Sequence, residues 1–296
     1  MKPARFDYFD PRTLPQALDL LAQYGDEGKV LAGGQSLLPL MYLRLASPGC
    51  LVDVNRVAGL DYVRVEDDTL CIGAVTRQRA VERAAPVLAG WPLVAEALRQ
   101  VGHAQIRNRG TFGGSVAHAD PAAELPAVVA ALDGTLRVAG AGGERTLAAD
   151  DFFLAYLTTA LEPSELLVEV RLPAPPAGSG WSFLEISRRH GDFALVGLAC
   201  LLTLEPDGRH IAAARLAYTG VGGTPLRAHD AETALVGEEV GPAVFTHAGE
   251  LAQAAAEPDS DIHASADYRR HLVGVVTRRA LARAHERALA QPASGR

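Results

Sequence analysis

Two glycine pairs, each followed closely by a hydroxyl residue, limit this chain more than any other feature. One lies in Ala32-Gly-Gly-Gln-Ser36, the other in Ile106-Arg-Asn-Arg-Gly-Thr-Phe-Gly-Gly-Ser115. Without a Cβ, Gly33, Gly34, Gly110, Gly113 and Gly114 let the backbone turn tightly and approach a ligand closely. Thr111 and Ser115 add hydroxyls that can bond phosphate oxygens, and backbone amides in such turns form a small anion-binding concavity. Downstream, Asp120-Pro121 reads as N-cap and N1 of a helix over 122–132, with Glu124 in its first turn. A single glycine pair is an ordinary turn; two with this chemistry suit one elongated ligand that carries phosphates.

The surrounding pattern is α+β. Residues 29–31 form a short apolar strand leading into the first glycine turn. Ser36 is placed to cap a helix over 37–45, whose Pro39 falls in the first turn. Strand, glycine turn and helix in that order can aim N–H groups at an anion. Neither G-x-x-x-x-G-K-[ST] nor G-x-G-x-x-G occurs there, which disfavours an ordinary ATPase or NAD unit. Leu14, Ala17, Leu18 and Leu21 line one face of a helix over 14–24. Strands are read at 51–54, 63–65, 70–74, 135–138, 145–147 and 166–172, with Asp67-Asp68 and Gly140-Ala-Gly-Gly143 as hairpin turns. Further helices are read at 79–84 and 92–101.

Pro173-Ala-Pro-Pro-Ala-Gly-Ser-Gly180 is the clearest linker and sets a domain boundary. Beyond it come strands at 181–188, 194–204 and 211–219, the last two joined through Pro206-Asp-Gly-Arg209. Helices follow at 230–235, 243–256 and 265–290, the last with Leu272, Val275, Val276 and Leu281 as a buried stripe. The strands are short and mostly antiparallel, without regular βαβ repeats. The tail from Gln291 reads as loose.

At 296 residues, with 48% apolar and 21% charged, the chain can bury two cores. Its formal charge of −7 supplies no basic face for nucleic acid or an anionic membrane. An anionic ligand must therefore be held by local amides and a few arginines. Cys50, Cys71 and Cys200 are far apart and include no C-x-x-C pair. An iron–sulfur cluster or structural zinc takes about four ligands, so reduced buried thiols are expected instead. No apolar run approaches the ~20 residues of a membrane span, and the first residues lack a signal-peptide core, so the expectation is a cytoplasmic protein. No arrangement of side chains points to a protein nucleophile or a metal site.

Longer matches turn this chemistry into a family resemblance. Ala32-Gly-Gly-Gln-Ser-Leu-Leu-Pro-Leu-Met41, with Arg44-Leu45 and Leu51-Val-Asp-Val-Asn55, resembles the first flavin motif of the medium subunit of molybdenum hydroxylases. The stretch from Ile106 to Ser115, with His118-Ala-Asp-Pro-Ala-Ala-Glu-Leu-Pro126, resembles the second. Arg188-Arg-His-Gly-Asp-Phe-Ala-Leu-Val196 and Ser265-Ala-Asp-Tyr-Arg-Arg-His-Leu272 are similar to segments of that family's C-terminal domain.

The resemblance implies a two-part FAD-binding domain of the vanillyl-alcohol oxidase type over 1–175. A small α+β domain, with a three-stranded antiparallel sheet and helices, is implied over 181–290. It implies non-covalent FAD in this chain, molybdopterin-bound molybdenum in a large partner subunit and [2Fe–2S] clusters in a small one. The implied assembly is a dimer of heterotrimers that passes electrons to an external acceptor. By this likeness the amides of Gly33, Gly34, Gln35 and Ser36, and of Thr111, Phe112, Gly113, Gly114 and Ser115, cradle the FAD diphosphate, with Ala32 and Leu37 flanking the first set. Glu124 would accept from ribitol hydroxyls, since a carboxylate repels phosphate. Asp120 reads first as a helix cap and second as a ligand. Thr76 and Leu167 match positions near the ring system. Gln35 stands where carbon monoxide dehydrogenases often carry His, which weakens carbon monoxide as the complex's substrate.

Arg107 and Arg109 either balance FAD charge or hold the loop. His118 suits a local hydrogen-bonding role better than a proton relay. The Arg188-Arg-His190 run reads as a solvated face or subunit contact, and Tyr268-Arg-Arg-His271 as docking for the long helix. The competing classes are a self-sufficient FAD-dependent oxidase or reductase, and a binding protein whose glycine pairs are bare turns.

Overall fold

The computed structural model describes residues 2–290, so the tail from Gln291 lies outside the described residues. The N-terminal layer comprises β1 (Asp7–Phe9), α1 (Leu14–Tyr24), β2 (Gly28–Leu31), α2 (Leu37–Tyr42) and β3 (Cys50–Asp53). Thr13 caps α1 by accepting from Gln16 N, Pro15 sits where its missing N–H is harmless, and Gly25 ends the helix at φ +50°. The three strands pair in parallel in the order β1-β3-β2. This departs from the antiparallel expectation. Strands of three or four residues show too little alternation to reveal their direction, which the intervening helices set instead.

The second sheet is antiparallel. Its strands are β4 (Val63–Glu66) and β5 (Thr69–Gly73), then β6 (Thr135–Gly140), β7 (Gly143–Ala148) and β10 (Leu166–Pro173), in the order β4-β5-β10-β6-β7. Asp67 and Asp68, both at positive φ, close the first hairpin with the twist that two-residue turns require. Between β5 and β6 run α3 (Gln78–Arg83), α4 (Ala85–Gly90), α5 (Pro92–Leu98), α6 (Ala104–Arg109), α7 (Phe112–His118) and α8 (Glu124–Ala131). Between β7 and β10 lie α9 (Ala149–Phe152) and a small hairpin of β8 (Phe153–Ala155) and β9 (Thr158–Thr159). One face of the sheet buries Leu70, Ile72, Leu136 and Val170 against the helices. The other buries Leu166 and Val168 against Leu21, Val52 and Val54 of the N-terminal layer. Residues 106–115, read from sequence as one glycine loop, divide into α6 and the start of α7.

Residues 174–178 lead into the third sheet: β11 (Ser179–Ile186), β12 (Val196–Leu204), β13 (Ile211–Thr219) and the two-residue β14 (Leu226–Arg227), antiparallel in that order. The three expected strands are thus the long ones. Then follow α10 (His229–Leu235), α11 (Pro242–Ala255) and α12 (Ala266–Ala290). The buried stripe of α12 runs through Leu272, Val273, Val276, Ala280, Leu281 and Ala284. Val275 is only half-buried, a one-residue error in helical phase. The sheet's other face adds Phe183, Ala199, Leu201 and Ala217 to the core formed by α5 and α8. β12 is consequently buried along its whole length. Among the described residues no helix is long and apolar enough to cross a membrane.

Glu169 on β10 is fully buried. It accepts from Tyr62 Oη at 2.6 Å, Arg137 at 2.9 Å, Arg171 at 3.1 Å and Arg64 at 3.3 Å. Burial opposes its ionisation, but these bonds and the Arg137 charge outweigh burial and hold the carboxyl below its usual range. A depressed folded-state pKa gives stability that is present above the unfolded value, near 4.3, and is lost as pH falls below it. Glu169→Ala removes one partner from each of three part-exposed guanidinium groups, which keep Glu66 or Glu144, and is expected to cost about 1.5–3 kcal/mol in denaturant unfolding and to flatten the acid side of the stability profile. A change below about 1 kcal/mol would contradict this account.

Candidate functional site

The first glycine turn leaves the end of β2. Gly34 adopts φ +73°, a region that favours glycine. Gly33 lies against the second turn: a Cβ on it would fall 2.6 Å from Arg109 O and 2.7 Å from Gly110 Cα. Among the described residues, the backbone amides of Gly33, Gly34, Gln35, Ser36 and Leu37 donate to no protein group, and the first bonded amide is Leu38 N, to Gly34 O at 3.2 Å. Five consecutive unengaged N–H groups at a tight turn before a helix form an anion receptor. Gln35 folds back and donates from Nε2 to Gly33 O at 3.1 Å. Ser36 precedes α2 but makes no capping bond, and α2 ends at Tyr42, not Leu45. The reason is conformational: Ser36 is already helical at φ −104°, ψ −50°, so its side chain is not in capping geometry.

The second turn is built differently. Phe112 N donates to Thr76 O and Gly113 N to Ala74 O, at 2.9 and 3.0 Å. Gly114 N donates to Thr111 Oγ1 at 3.1 Å, and Ser115 N to Thr111 O at 3.2 Å. Thr111 is therefore the N-cap of α7 and shows no bond from its own amide. The groups this turn offers a ligand are Thr111 N and the Ser115 hydroxyl. Gly113 lets α7 lie directly on the end of β5, since a Cβ would come within 2.6 Å of Ala74 Cα. Phe112 is buried in the core.

Four polar residues join the two turns. Asn55 Nδ2 donates to Ala32 O at 2.7 Å and to Asp53 Oδ1 at 2.6 Å. Arg77 donates to Asn55 Oδ1 at 2.7 Å and to Arg109 O at 2.6 Å. Tyr8 Oη donates to Asp53 Oδ2 at 2.6 Å. Tyr8–Asp53–Asn55–Arg77 thus grips one carbonyl of each turn. Sequence reading quoted Asn55 within a motif and gave no role to Arg77, because bonds to backbone carbonyls across the fold leave no local spacing to read.

Beyond α7, Ala119 takes a left-handed conformation at φ +51°. Asp120 Oδ1 accepts from Ala122 N at 2.9 Å, so it stabilises the turn ahead of the helix. The helix itself is α8, beginning at Glu124 with Ala123 as its N-cap residue. The expectation of Asp120 as cap of a helix from Pro121 is corrected accordingly: the extra residues form a local Asx turn, which competes with the helix for the same amides. Glu124 is 5% exposed and bonds no other residue among those described. Burial pushes its carboxyl up to about 7; its own backbone amide and the Arg107 charge oppose this, while the Asp120 charge adds to it. Burial lowers the His118 imidazole against the pull of Asp120.

Arg107 is buried, bonding Glu82 at 3.0 Å and Val101 O at 2.9 Å, so it holds the approach to the turn. Thr76 spends its hydroxyl on Tyr62 O and Tyr62 N, both at 2.9 Å. Leu167 is buried at a bulge in β10. Arg269 docks α12 through Leu195 O at 2.6 Å and Asp261 at 2.8 Å. Arg188 pairs with Asp192 at the surface. All three cysteines are buried and free. A cavity of about 330 Å³ bordered by Ala130, Asp150, Gly223 and Arg227 includes none of the residues expected at the site.

The family described as the FAD binding domain in molybdopterin dehydrogenase matches residues 4–175, and the CO dehydrogenase flavoprotein C-terminal domain matches residues 181–284. The alpha subunit of the 6-hydroxypseudooxynicotine dehydrogenase complex of Paenarthrobacter nicotinovorans is 41% identical over 97% of both chains. The beta subunit of caffeine dehydrogenase of Pseudomonas sp. (strain CBB1) is 42% identical over 97% of both. Among solved structures, a chain of carbon monoxide dehydrogenase from Hydrogenophaga pseudoflava superposes with a TM-score of 0.94 at 40% identity, covering 97% of this chain and 99% of that one.

Asn55→Leu removes the bond to Ala32 O and leaves Arg77 short of a partner. It is expected to weaken FAD binding about tenfold, roughly 1.4 kcal/mol, while thermal unfolding moves by only a few degrees. Titration of the chain with FAD, followed by flavin fluorescence, measures this; unchanged affinity would show that the turns hold their geometry without the brace.

Proposed function

This chain belongs to the family of FAD-binding medium subunits of molybdenum hydroxylases, and from that premise we propose how its residues serve the cofactor. The chain is an oxidoreductase component of a multi-subunit complex. When bound, FAD supplies the redox chemistry, and the protein supplies position and electrostatics. The observation that carries the site assignment is the run of unengaged amides from Gly33 to Leu37. They receive the FAD diphosphate, between Ala32 and the Thr111–Ser115 turn. Thr111 N and the Ser115 hydroxyl add donors from the second turn, while Phe112, Gly113 and Gly114 hold that turn in place. Glu124, buried with no partner, accepts from the ribitol hydroxyls. Asp120 shapes the turn that presents Glu124, and Leu167 forms an apolar wall near the ring.

Residues 1–175 serve as the FAD-binding domain and residues 181–290 as the C-terminal domain that closes over it. The partners are a large molybdenum-binding subunit and a small [2Fe–2S] subunit, assembled as a dimer of heterotrimers in the cytoplasm. Electrons arrive from the [2Fe–2S] clusters and leave to an external acceptor. The names of the relatives, which are subunits of dehydrogenase complexes, support this arrangement.

The test is reconstitution of the purified chain with FAD, then co-purification with the products of adjacent genes. The isolated chain is expected to turn yellow on FAD addition and not to oxidise an organic substrate by itself. A colourless chain would overturn the cofactor assignment, and steady turnover of an organic substrate by the chain alone would favour a self-sufficient oxidase. Two neighbouring glycines separate site from scaffold. A Cβ on Gly114 meets only the hydroxyl of Thr111 and the side chain of Ala32, whereas one on Gly113 meets the backbone of Ala74. Gly114→Val is expected to cost about 1 kcal/mol of stability through the lost cap, yet to abolish FAD retention on gel filtration. Gly113→Val is expected to lower stability by several times as much. Retained flavin in Gly114→Val would contradict the cradle.

A further inference from the structure

Arg77 lies at the seam between the two glycine turns and is fixed there from three sides. Its backbone pairs with that of Thr111 in an isolated antiparallel bridge, flanked by the bonds from Gln78 N to Gly110 O and from Phe112 N to Thr76 O, both at 2.9 Å. From this bridge the side chain reaches the first turn. Nη2 donates to Asn55 Oδ1 at 2.7 Å, and Asn55 in turn holds Ala32 O. Nη1 donates to Arg109 O, the atom against which Gly33 packs. Nη1 and the position of a Gly33 Cβ each lie 2.6 Å from that oxygen, so a single oxygen atom separates the guanidinium from the first turn. The same Gly33 position is 3.0 Å from Thr111 N. The unengaged amides that begin at Gly33, the unengaged Thr111 N and the Arg77 cation therefore meet at one place.

The cation there has no counter-charge. Arg107, Arg227 and Arg269 have buried side chains, and each pairs with a carboxylate. Arg77, half-buried, forms no ion pair among the described residues. Asp53, the carboxylate of the brace, bonds Tyr8 and Asn55 instead. Burial first, then the charge of Arg109, hold the Arg77 guanidinium below its usual range, and Asp61 and Asp53 oppose them from beyond ion-pair distance. Of the five N–H groups that a guanidinium carries, two are engaged, and the rest bond no protein group among the described residues. Bracing two oxygens requires donors but not a charge, and a neutral carboxamide carries donors too. An uncompensated cation withdrawn from water destabilises the empty chain, and that cost is removed when an anion arrives beside it. The chain as a whole carries a charge of −7, so any attraction for an anion has to be local.

We propose that Arg77 is the cationic member of the cofactor cradle, facing the diphosphate of FAD from the seam between the turns and neutralising part of its charge. This rests on the FAD reading above. It gives Arg77 two tasks that can be separated. The brace sets the shape of the turns through hydrogen bonds, and Asn55→Leu breaks it without removing the charge. The charge acts on the phosphates and, unlike the brace, responds to salt. Its sign is diagnostic. The net negative chain repels an anionic cofactor, so screening alone would tighten binding; a local cation at the phosphates makes added salt weaken it instead. Arg109 is exposed, with its charge in water, and contributes little.

The experiment titrates the full chain with FAD, followed by flavin fluorescence, in potassium chloride from about 0.01 M to about 1 M, over which the screening length falls from about 30 Å to about 3 Å. In the unaltered chain Kd is expected to rise about fivefold across this range, a readout that needs no variant. Arg77→Gln, which keeps a donor but no charge, is expected to raise Kd about thirtyfold in low salt and to leave it flat or falling as salt is added. Arg77→Lys restores the charge without the planar fork and is expected to recover the salt response, with a Kd within about tenfold of the unaltered chain. Asn55→Leu is expected to keep the salt response at its weaker affinity, and Arg109→Gln to change Kd by less than about twofold. An unaltered Kd that does not rise with salt, an Arg77→Gln chain that keeps the response, an Asn55→Leu chain that loses it, or an Arg109→Gln effect as large as that of Arg77→Gln would overturn the charge assignment while leaving FAD binding intact. A chain that takes up no FAD at any salt concentration would instead overturn the reading beneath it.

Discussion

The site depends on one close approach: the backbone of Gly33 against that of Arg109 and Gly110. No side chain separates the two turns there, so they form one surface although they arise from different sheets. The first turn ends a strand of the small parallel sheet, and the second opens a helix lying on the five-stranded sheet. Any residue larger than glycine at position 33 would force them apart. Tyr8, Asp53, Asn55 and Arg77 keep them together by hydrogen-bonding carbonyls rather than amides. The choice of acceptors matters, because it leaves the amides of the first turn free for a ligand.

The turns share a glycine pattern but divide the work. In the second, helix α7 begins at once, and its first amides are absorbed by Ala74, Thr76 and Thr111. That turn is a rigid wall that adds a few donors. In the first, Ser36 does not cap and α2 is a short helix, so its amides remain unspent. A glycine pair followed by a hydroxyl is thus ambiguous at the level of residues. Whether its N–H groups face a ligand depends on whether a strand end lies close enough to accept them.

This explains what was legible in the sequence. Strands and helices with strong periodicity, such as α1, β12 and β13, stand within a residue or two of their expected positions. The two motif stretches meet in the fold, with Gly33 against Arg109, Gly110 and Thr111 N. Three kinds of feature were hidden. The parallel pairing of the first sheet was missed because such short strands carry no directional signal. Helix α7 reads as loop because its two glycines lower helix propensity, while the contact of Gly113 with the end of β5 overrides it; α6, six residues long, is too short to show a helical period. The brace was missed because Asn55 and Arg77 act on backbone atoms far away in sequence.

The C-terminal sheet shows why the site cannot be understood from the first 175 residues alone. Its β12 is buried on both faces, between α12 on one side and the core of α5 and α8 on the other. A sheet held in this way has little freedom to hinge away without exposing apolar surface. Thr219 and Gly220 fix it to the same short turn that presents Glu124. Whatever sits on β11 opposite that turn is therefore placed as firmly as a residue of the FAD-binding part itself.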